Sequence, residues 1–142
     1  MGLQELLSGV AFTSLLMLCT LIHALVLAEA VGRYWVRIAR RYGEAEQKAL
    51  VLLKEWLSPG QLAQYESHGH FEVRGLHSGK RYRIRRDRRM NIDELNEHGA
   101  PVAIWCFGPE GYLPVGDFML AQKIALENDE RAALAVAKNR EP

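Results

Sequence analysis

From Leu6 to Ala28 the chain carries no formal charge, and the run Leu15-Leu16-Met17-Leu18 puts apolar side chains on every face of a helix. At about 1.5 Å per residue this stretch makes a helix of roughly 34 Å, enough to cross a hydrocarbon core of about 30 Å. Ser8, Thr13, Ser14 and Thr20 can return their hydroxyls to carbonyls one turn back, so they fit such a span. The expectation is a transmembrane anchor over residues 1–30. A cleaved signal peptide ending at Ala28-Glu29-Ala30 fits less well, because no Lys or Arg precedes the run and the apolar stretch is too long. A buried soluble helix is usually shorter. Myristoylation at Gly2 wants Ser or Thr where Leu6 stands.

After the run the pattern becomes periodic. Trp35, Ile38, Tyr42, Ala45, Ala49, Leu52 and Trp56 recur at three- and four-residue spacings with Glu44, Glu46, Lys48, Lys54 and Glu55 between them, which predicts an amphipathic helix over 31–57. A parallel coiled coil is one partner for this seam. Two alanines and three bulky aromatics suit a coiled-coil core poorly, so a helix laid against its own domain is favoured. Gly43 is a place for a kink. Leu57-Ser58-Pro59-Gly60-Gln61-Leu62 then holds a complete start signal: Ser58 as N-cap, Pro59 at the first position, Gln61 reaching back, and Leu57 with Leu62 as the hydrophobic staple. That short helix should reach about Ser67 and stop at Gly69.

From His70 the period changes to two. Phe71 and Val73 mark one strand, and Tyr82 and Ile84 alternate with Arg81, Arg83 and Arg85 in a second, across the turn Leu76-His77-Ser78-Gly79. A third is expected near Met90 to Leu95 and a fourth from Val102 to Phe107, joined through Asn96-Glu97-His98-Gly99. Gly- and Pro-rich segments follow, and Asp117 is placed to cap a long helix through about Lys138, with Lys123, Glu127 and Arg131 at supporting spacings. The expected fold is α+β: a transmembrane helix, then a small four-stranded antiparallel meander flanked by helices, with a long C-terminal helix. The expected domains are 1–30, 31–57 and 58–142.

Several strings from Leu57 to about Asn139 resemble a family of small uncharacterised bacterial proteins. They are Trp56-Leu57-Ser58-Pro59 with Gln61, His70-Phe71-Glu72-Val73 with Gly75, Tyr82-Arg83-Ile84, Trp105-Cys106-Phe107 with Pro109, and Gly116-Asp117 with Met119 to Glu127. The resemblance implies a domain boundary and no activity, and the apolar run lies outside it.

Composition narrows the classes of function. A length of 142 residues, with 49% hydrophobic and 25% charged residues, suits one globular domain and excludes a two-domain enzyme. A net charge of +1 argues against wholesale nucleic-acid binding. Two cysteines far apart, Cys19 and Cys106, read as free thiols in a reducing compartment. All 18 Lys and Arg follow the apolar run, with Arg33, Arg37, Arg40 and Arg41 just beyond it. The expected topology is therefore N-terminus outside and C-terminal domain cytoplasmic, in the cell membrane. Tyr34, Trp35 and Tyr42 suit headgroup depth.

Charge is unevenly spread within the domain. His70 to Met90 carries a net +6 and Asn91 to Pro142 a net −5. Arg81, Arg83, Arg85, Arg86, Arg88 and Arg89 form a candidate basic ladder for phosphate oxygens of anionic lipid, nucleic acid or an acidic partner, because Arg offers a planar fork of donors. The competing expectation sets Arg83 and Arg85 against Asp93 and Glu94 across neighbouring strands. His68, His70 and His77 are weak metal candidates, since a closed zinc site normally adds Cys or carboxylate ligands. His23, with Cys19 one turn away, is the polar pair inside the apolar run, suited to contact with another helix or to ligating haem or a chlorin. No nucleophile elbow, phosphate loop or C-x-x-C stands in the chain, and Cys106 falls in an apolar strand. The sequence thus points to a single-pass membrane-anchored interaction or assembly module. Its expected partners are membrane lipid and a protein partner, a membrane complex or a second copy. The alternatives are a cofactor-carrying subunit of a redox or light-harvesting complex and a small metal-dependent enzyme.

Overall fold

The computed structural model of the chain describes residues 2–86 and 89–140, with side chains in the first helix described from residue 14 onward. The apolar run and the amphipathic segment are one element: helix α1 spans Leu3–Trp56 and continues unbroken through Gly43. Its residues up to Tyr42 make one compact unit, and Gly43–Pro142 make a second. In the first unit the apolar stretch from Ser14 reaches a mean hydropathy of 2.1 and none of it is buried. By length and composition α1 suits a membrane span and a signal sequence alike.

In the second unit the sequence signals act locally. Helix α2, Pro59–His68, begins with the full capping box: Gln61 N–H donates to Ser58 Oγ and Ser58 N–H to Gln61 Oε1. It ends at Gly69, whose φ of 70° lies in the left-handed region that glycine enters without steric cost. The sheet follows as β1 (His70–Arg74), β2 (Arg81–Arg85), β3 (Ile92–Leu95) and β4 (Pro101–Cys106). Helix α3, Val115–Ala135, precedes a fifth strand, β5 (Lys138–Arg140), and the strands pair in sequence order, every pair antiparallel. The fold is α+β, and its sheet has five strands where the sequence suggested four. The last helix stops three residues short of the expected Lys138, because Lys138–Arg140 leave it to pair with β4.

Phe71, Val73, Tyr82, Ile84 and Ile92 bury one sheet face against Leu53 and Leu57 of the first-helix end, Tyr65 of α2, and Met119, Leu120 and Leu126 of α3. The seam on α1 therefore differs from the expected one. Ala49 is buried as expected, but Leu53 and Leu57 are buried in place of Leu52, 40% exposed, and Trp56, 58% exposed, so beyond Ala49 the stripe lies one position further along the chain. The start of α3 is also set by α1. Val115 N–H donates to Glu46 Oε2 at 2.9 Å, whereas the N-cap residue is Pro114 and Asp117 makes no cap. A Cβ on Gly116 would sit 2.4 Å from the Ala49 backbone, so only glycine lets the two helices approach this closely.

Candidate anion-binding face

The second face of the sheet carries the charges. His70, Glu72 and Arg74 alternate with the core residues of β1, and the register sets His70 beside Arg85, Glu72 beside Arg83 and Arg74 beside Arg81. Across β2 and β3, Arg83 lies opposite Asp93. The ion pairs do not simply follow this register. Glu72 holds two arginines, with Arg81 Nη2 at 3.0 Å and Arg83 Nη2 at 3.3 Å, while Arg85 Nη2 pairs with Asp93 at 3.1 Å and also donates to the Met90 carbonyl. Glu94 is taken by Lys80 at 2.6 Å and by the Trp105 indole N–H at 3.0 Å. Arg81, Arg83 and Arg85 thus belong to a paired network with Glu72 and Asp93; of the two rival expectations this is nearer the cross-strand pairing than the outward ladder, with Arg85 on Asp93 as expected but Arg83 on Glu72. The Nε–H groups of Arg83 and Arg85 are buried without a partner among the described residues.

Two exposed arginines stand at one corner. Arg86 and Arg89 are exposed in the connection from β2 to β3, which closes on Met90 at a φ of +47°. Arg88 lies outside the described residues. Arg86 N–H donates to the Gly69 carbonyl at 3.0 Å, tying this corner to the turn that carries His68 and His70. Those two rings are 5.4 Å apart. Burial, Arg83 and His68 together lower the pKa of His70 below its usual value, so its surroundings already favour a neutral ring. His77 is not near them. It follows β1, at the opposite end of the strand from His70, with its N–H on Glu130. No group of three or more His, Cys, Asp or Glu able to hold a metal occurs among the described residues. In α1, Cys19 and His23 are exposed, and His23 Nδ1 lies 2.7 Å from the Cys19 carbonyl oxygen.

Two polar knots that sequence reading missed lie on the helix side of the sheet. Glu130, 2% exposed, accepts from His77 N–H at 2.9 Å, Ser78 N–H at 2.8 Å and the Tyr82 hydroxyl at 2.7 Å, and from the Ser78 hydroxyl. Burial alone would push its pKa up, but the donors from Ser78, Tyr82 and His77 outweigh it and hold it at about 2. Burial and the Glu130 hydrogen bond raise the pKa of Tyr82 in turn. A break in α3 at Asp129 (φ −151°, ψ 69°) lets the second helical piece start afresh, with Asp129 Oδ1 capping Ala132 N–H. Glu130 thereby reaches the hairpin turn, and Gly75 leaves it room, because a Cβ there would meet the carboxyl at 2.3 Å. In the second knot Asn91 and Gln122 exchange hydrogen bonds at 2.8 and 2.9 Å, and Gln122 Nε2 also donates to the Phe107 carbonyl at 2.7 Å. Both knots join segments distant in sequence and have their acceptors filled. They are structural, whereas Arg86 and Arg89 at the corner are exposed.

A cleft of about 770 Å³ runs beside β1 and is lined by Trp56, Gln61, Glu72, Arg81, Lys123 and Glu127 among others. Within it Arg81 pairs with Glu72 and Lys123 with Glu127, while Arg74, which also lines it, donates to the Gly79 carbonyl. Comparison with protein families, curated proteins and solved structures finds no match for this chain.

Proposed function

We propose that this chain is a single-pass membrane-anchored assembly module whose α+β unit engages anionic groups at the membrane surface. The observation that supports this reading is one chain carrying both an exposed apolar helix and two exposed arginines, Arg86 and Arg89, that stand outside the ion pairs of Glu72 and Asp93 among the described residues. Arginine near a span favours the cytoplasmic side, so the N-terminus lies outside and the α+β unit inside. Tethering supplies localisation, and contacts of about 1 kcal/mol per basic residue near an anionic surface suffice to orient the unit.

Fractionation tests the anchor: the chain is expected in the membrane pellet after carbonate washing, with a C-terminal tag accessible only from the cytoplasmic side. Recovery in the wash, or a tag reached from outside, overturns it. A second reading is supported by His23. If the Nδ1 nitrogen carries the proton, its bond to the Cys19 carbonyl orients the ring and leaves Nε2 to ligate haem or a chlorin, or to meet a neighbouring helix. An absorbance spectrum of the detergent-purified chain decides it: a Soret or chlorin band supports a cofactor, and a flat spectrum above the aromatic band removes it.

A further inference from the structure

The arginines that follow the apolar run of α1 are not equally engaged. Arg33 pairs with Glu29, one turn back, at 3.5 Å, and Arg40 has a partner of its own. Arg37 and Arg41 are exposed and make no ion pair among the described residues. Four residues apart on one continuous helix, they share a face and stand about 6 Å apart along its axis. Tyr34, three residues before Arg37, belongs to that face as well, exposed and in edge-on contact with Trp35 at 5.9 Å between ring centroids. Rings with an apolar body and a polar tip settle where hydrocarbon meets headgroups. With Tyr34 and Trp35 at that boundary, the twenty residues from Leu15 to Tyr34 span about 30 Å, the thickness of the core, and Glu29 with Arg33 falls at its edge as a pair that cancels its own charge. Arg37 then lies about 4.5 Å past Tyr34 and Arg41 about 10 Å past it. Helical side chains lean towards the N-terminus, which carries both guanidinium groups back into a headgroup layer about 5–8 Å deep.

We propose that Arg37 and Arg41, with Tyr34 setting their depth, form a binding site on α1 for the headgroup of an anionic phospholipid. Two planar forks of donors one helical turn apart suit the oxygens of one phosphodiester, and both bonds are charge-assisted. A zwitterionic lipid brings its own ammonium to that phosphate, whereas an anionic lipid leaves it unneutralised, so charge complementarity selects the second. The site is continuous with the exposed apolar face of the same helix, which accepts the acyl chains of the lipid it holds. This inference rests on the reading of α1 as a membrane span and goes beyond it by naming the class of lipid and the two residues that select it. Arg86 and Arg89 of the second unit take no part.

The test uses the full chain in neutral detergent with phosphatidylglycerol or phosphatidylcholine added, the lipids bound to each chain being counted by native mass spectrometry. The first phosphatidylglycerol is expected to bind roughly tenfold or more tightly than the first phosphatidylcholine, the effect of two basic residues at an anionic surface. Arg37→Gln and Arg41→Gln should each weaken phosphatidylglycerol about fivefold and leave phosphatidylcholine unmoved. Glutamine is a good helix former, so both variants keep α1 intact. Arg131→Gln, which removes the same charge from an exposed position of α3, should change neither lipid. The proposal is overturned if the two lipids bind alike, if Arg131→Gln weakens phosphatidylglycerol as much as Arg37→Gln does, or if the preference survives both Arg37→Gln and Arg41→Gln. A preference lost when Arg86→Gln and Arg89→Gln are combined but kept in Arg37→Gln would move the lipid to the second unit, retaining the wider reading and removing this site. Recovery of the chain in the carbonate wash is the separate result that removes the span, and the site with it.

Discussion

The sheet separates two carboxylates that do different work with different kinds of partner. On the helix side Glu130 is 2% exposed and takes its hydrogen bonds from two backbone amides and two hydroxyls, none of them charged. On the open side Glu72 holds the guanidinium groups of Arg81 and Arg83, full charges whose side chains are 33% and 26% exposed. Formal charge alone would rank Glu72 as the stronger tie. Solvent reverses the ranking, because exposed ion pairs contribute roughly 0–1 kcal/mol whereas a buried carboxylate that loses its donors, or buried donors that lose their carboxylate, cost several times that.

Glu130→Ala puts the sharpest strain on this contrast. It strands Tyr82 and two amides and opens space beside Gly75, so unfolding in urea should show a loss of about 3–5 kcal/mol. A loss under 1 kcal/mol would make the two faces equivalent. Acid titration asks the same question without a mutation. The pKa of Glu130 falls from the usual 4.5 to about 2 on folding, so its contribution is complete above 4.5 and disappears as the pH drops towards 2. The amount at stake is about 3 kcal/mol, and the pH slope of stability in this window should flatten in Glu130→Gln. Next in size, Gln122→Leu leaves Asn91 and the Phe107 carbonyl unsatisfied and should cost about 2–3 kcal/mol, read from the same urea curves. The smallest stability effect belongs to Glu72→Gln, under about 1 kcal/mol, and here the sign of a second readout matters. Freeing Arg81 and Arg83 should raise affinity for vesicles containing phosphatidic acid at low salt and steepen its salt dependence.

What the sequence discloses follows the range of the interaction. The Ser58 box, the Gly69 stop and the turns closing on Gly79 and Gly99, at φ of 68° and 78°, were legible because each is completed within a few residues. The α1 seam was not. Leu50, Val51, Leu52 and Leu53 offer an apolar residue at every angle, so periodicity could not choose between Leu52 and Leu53, and packing against the sheet did. Strand β5 is exposed throughout and has no alternation to display; what calls it into being is the unpaired edge of β4. Asp117 looked like a cap because of its place after a loop, but the group that serves the end of α3 is Glu46, far upstream. The basic run was visible as composition. Its neutralisation by Glu72 depends on pairings that local spacing does not specify, and Glu130 depends on a turn 52 residues away.

Both rims of the sheet are guarded, and this bears on how crowded copies behave. At β1 the outward N–H and carbonyl of Glu72 are occupied by Gln64 and Gln61 of α2, each at 2.9 Å. At the other rim β5 is three residues long and carries Lys138 and Arg140. An unguarded rim is a template on which an identical chain adds its own strand, and side-chain plugs, brevity and positive charge each frustrate that growth. Copies packed at high density would therefore tend to remain separate particles instead of knitting into fibrils. Gln61, which read in the sequence only as a cap partner, and Gln64 are on this account the residues whose loss would first turn a dispersed population into a polymerising one.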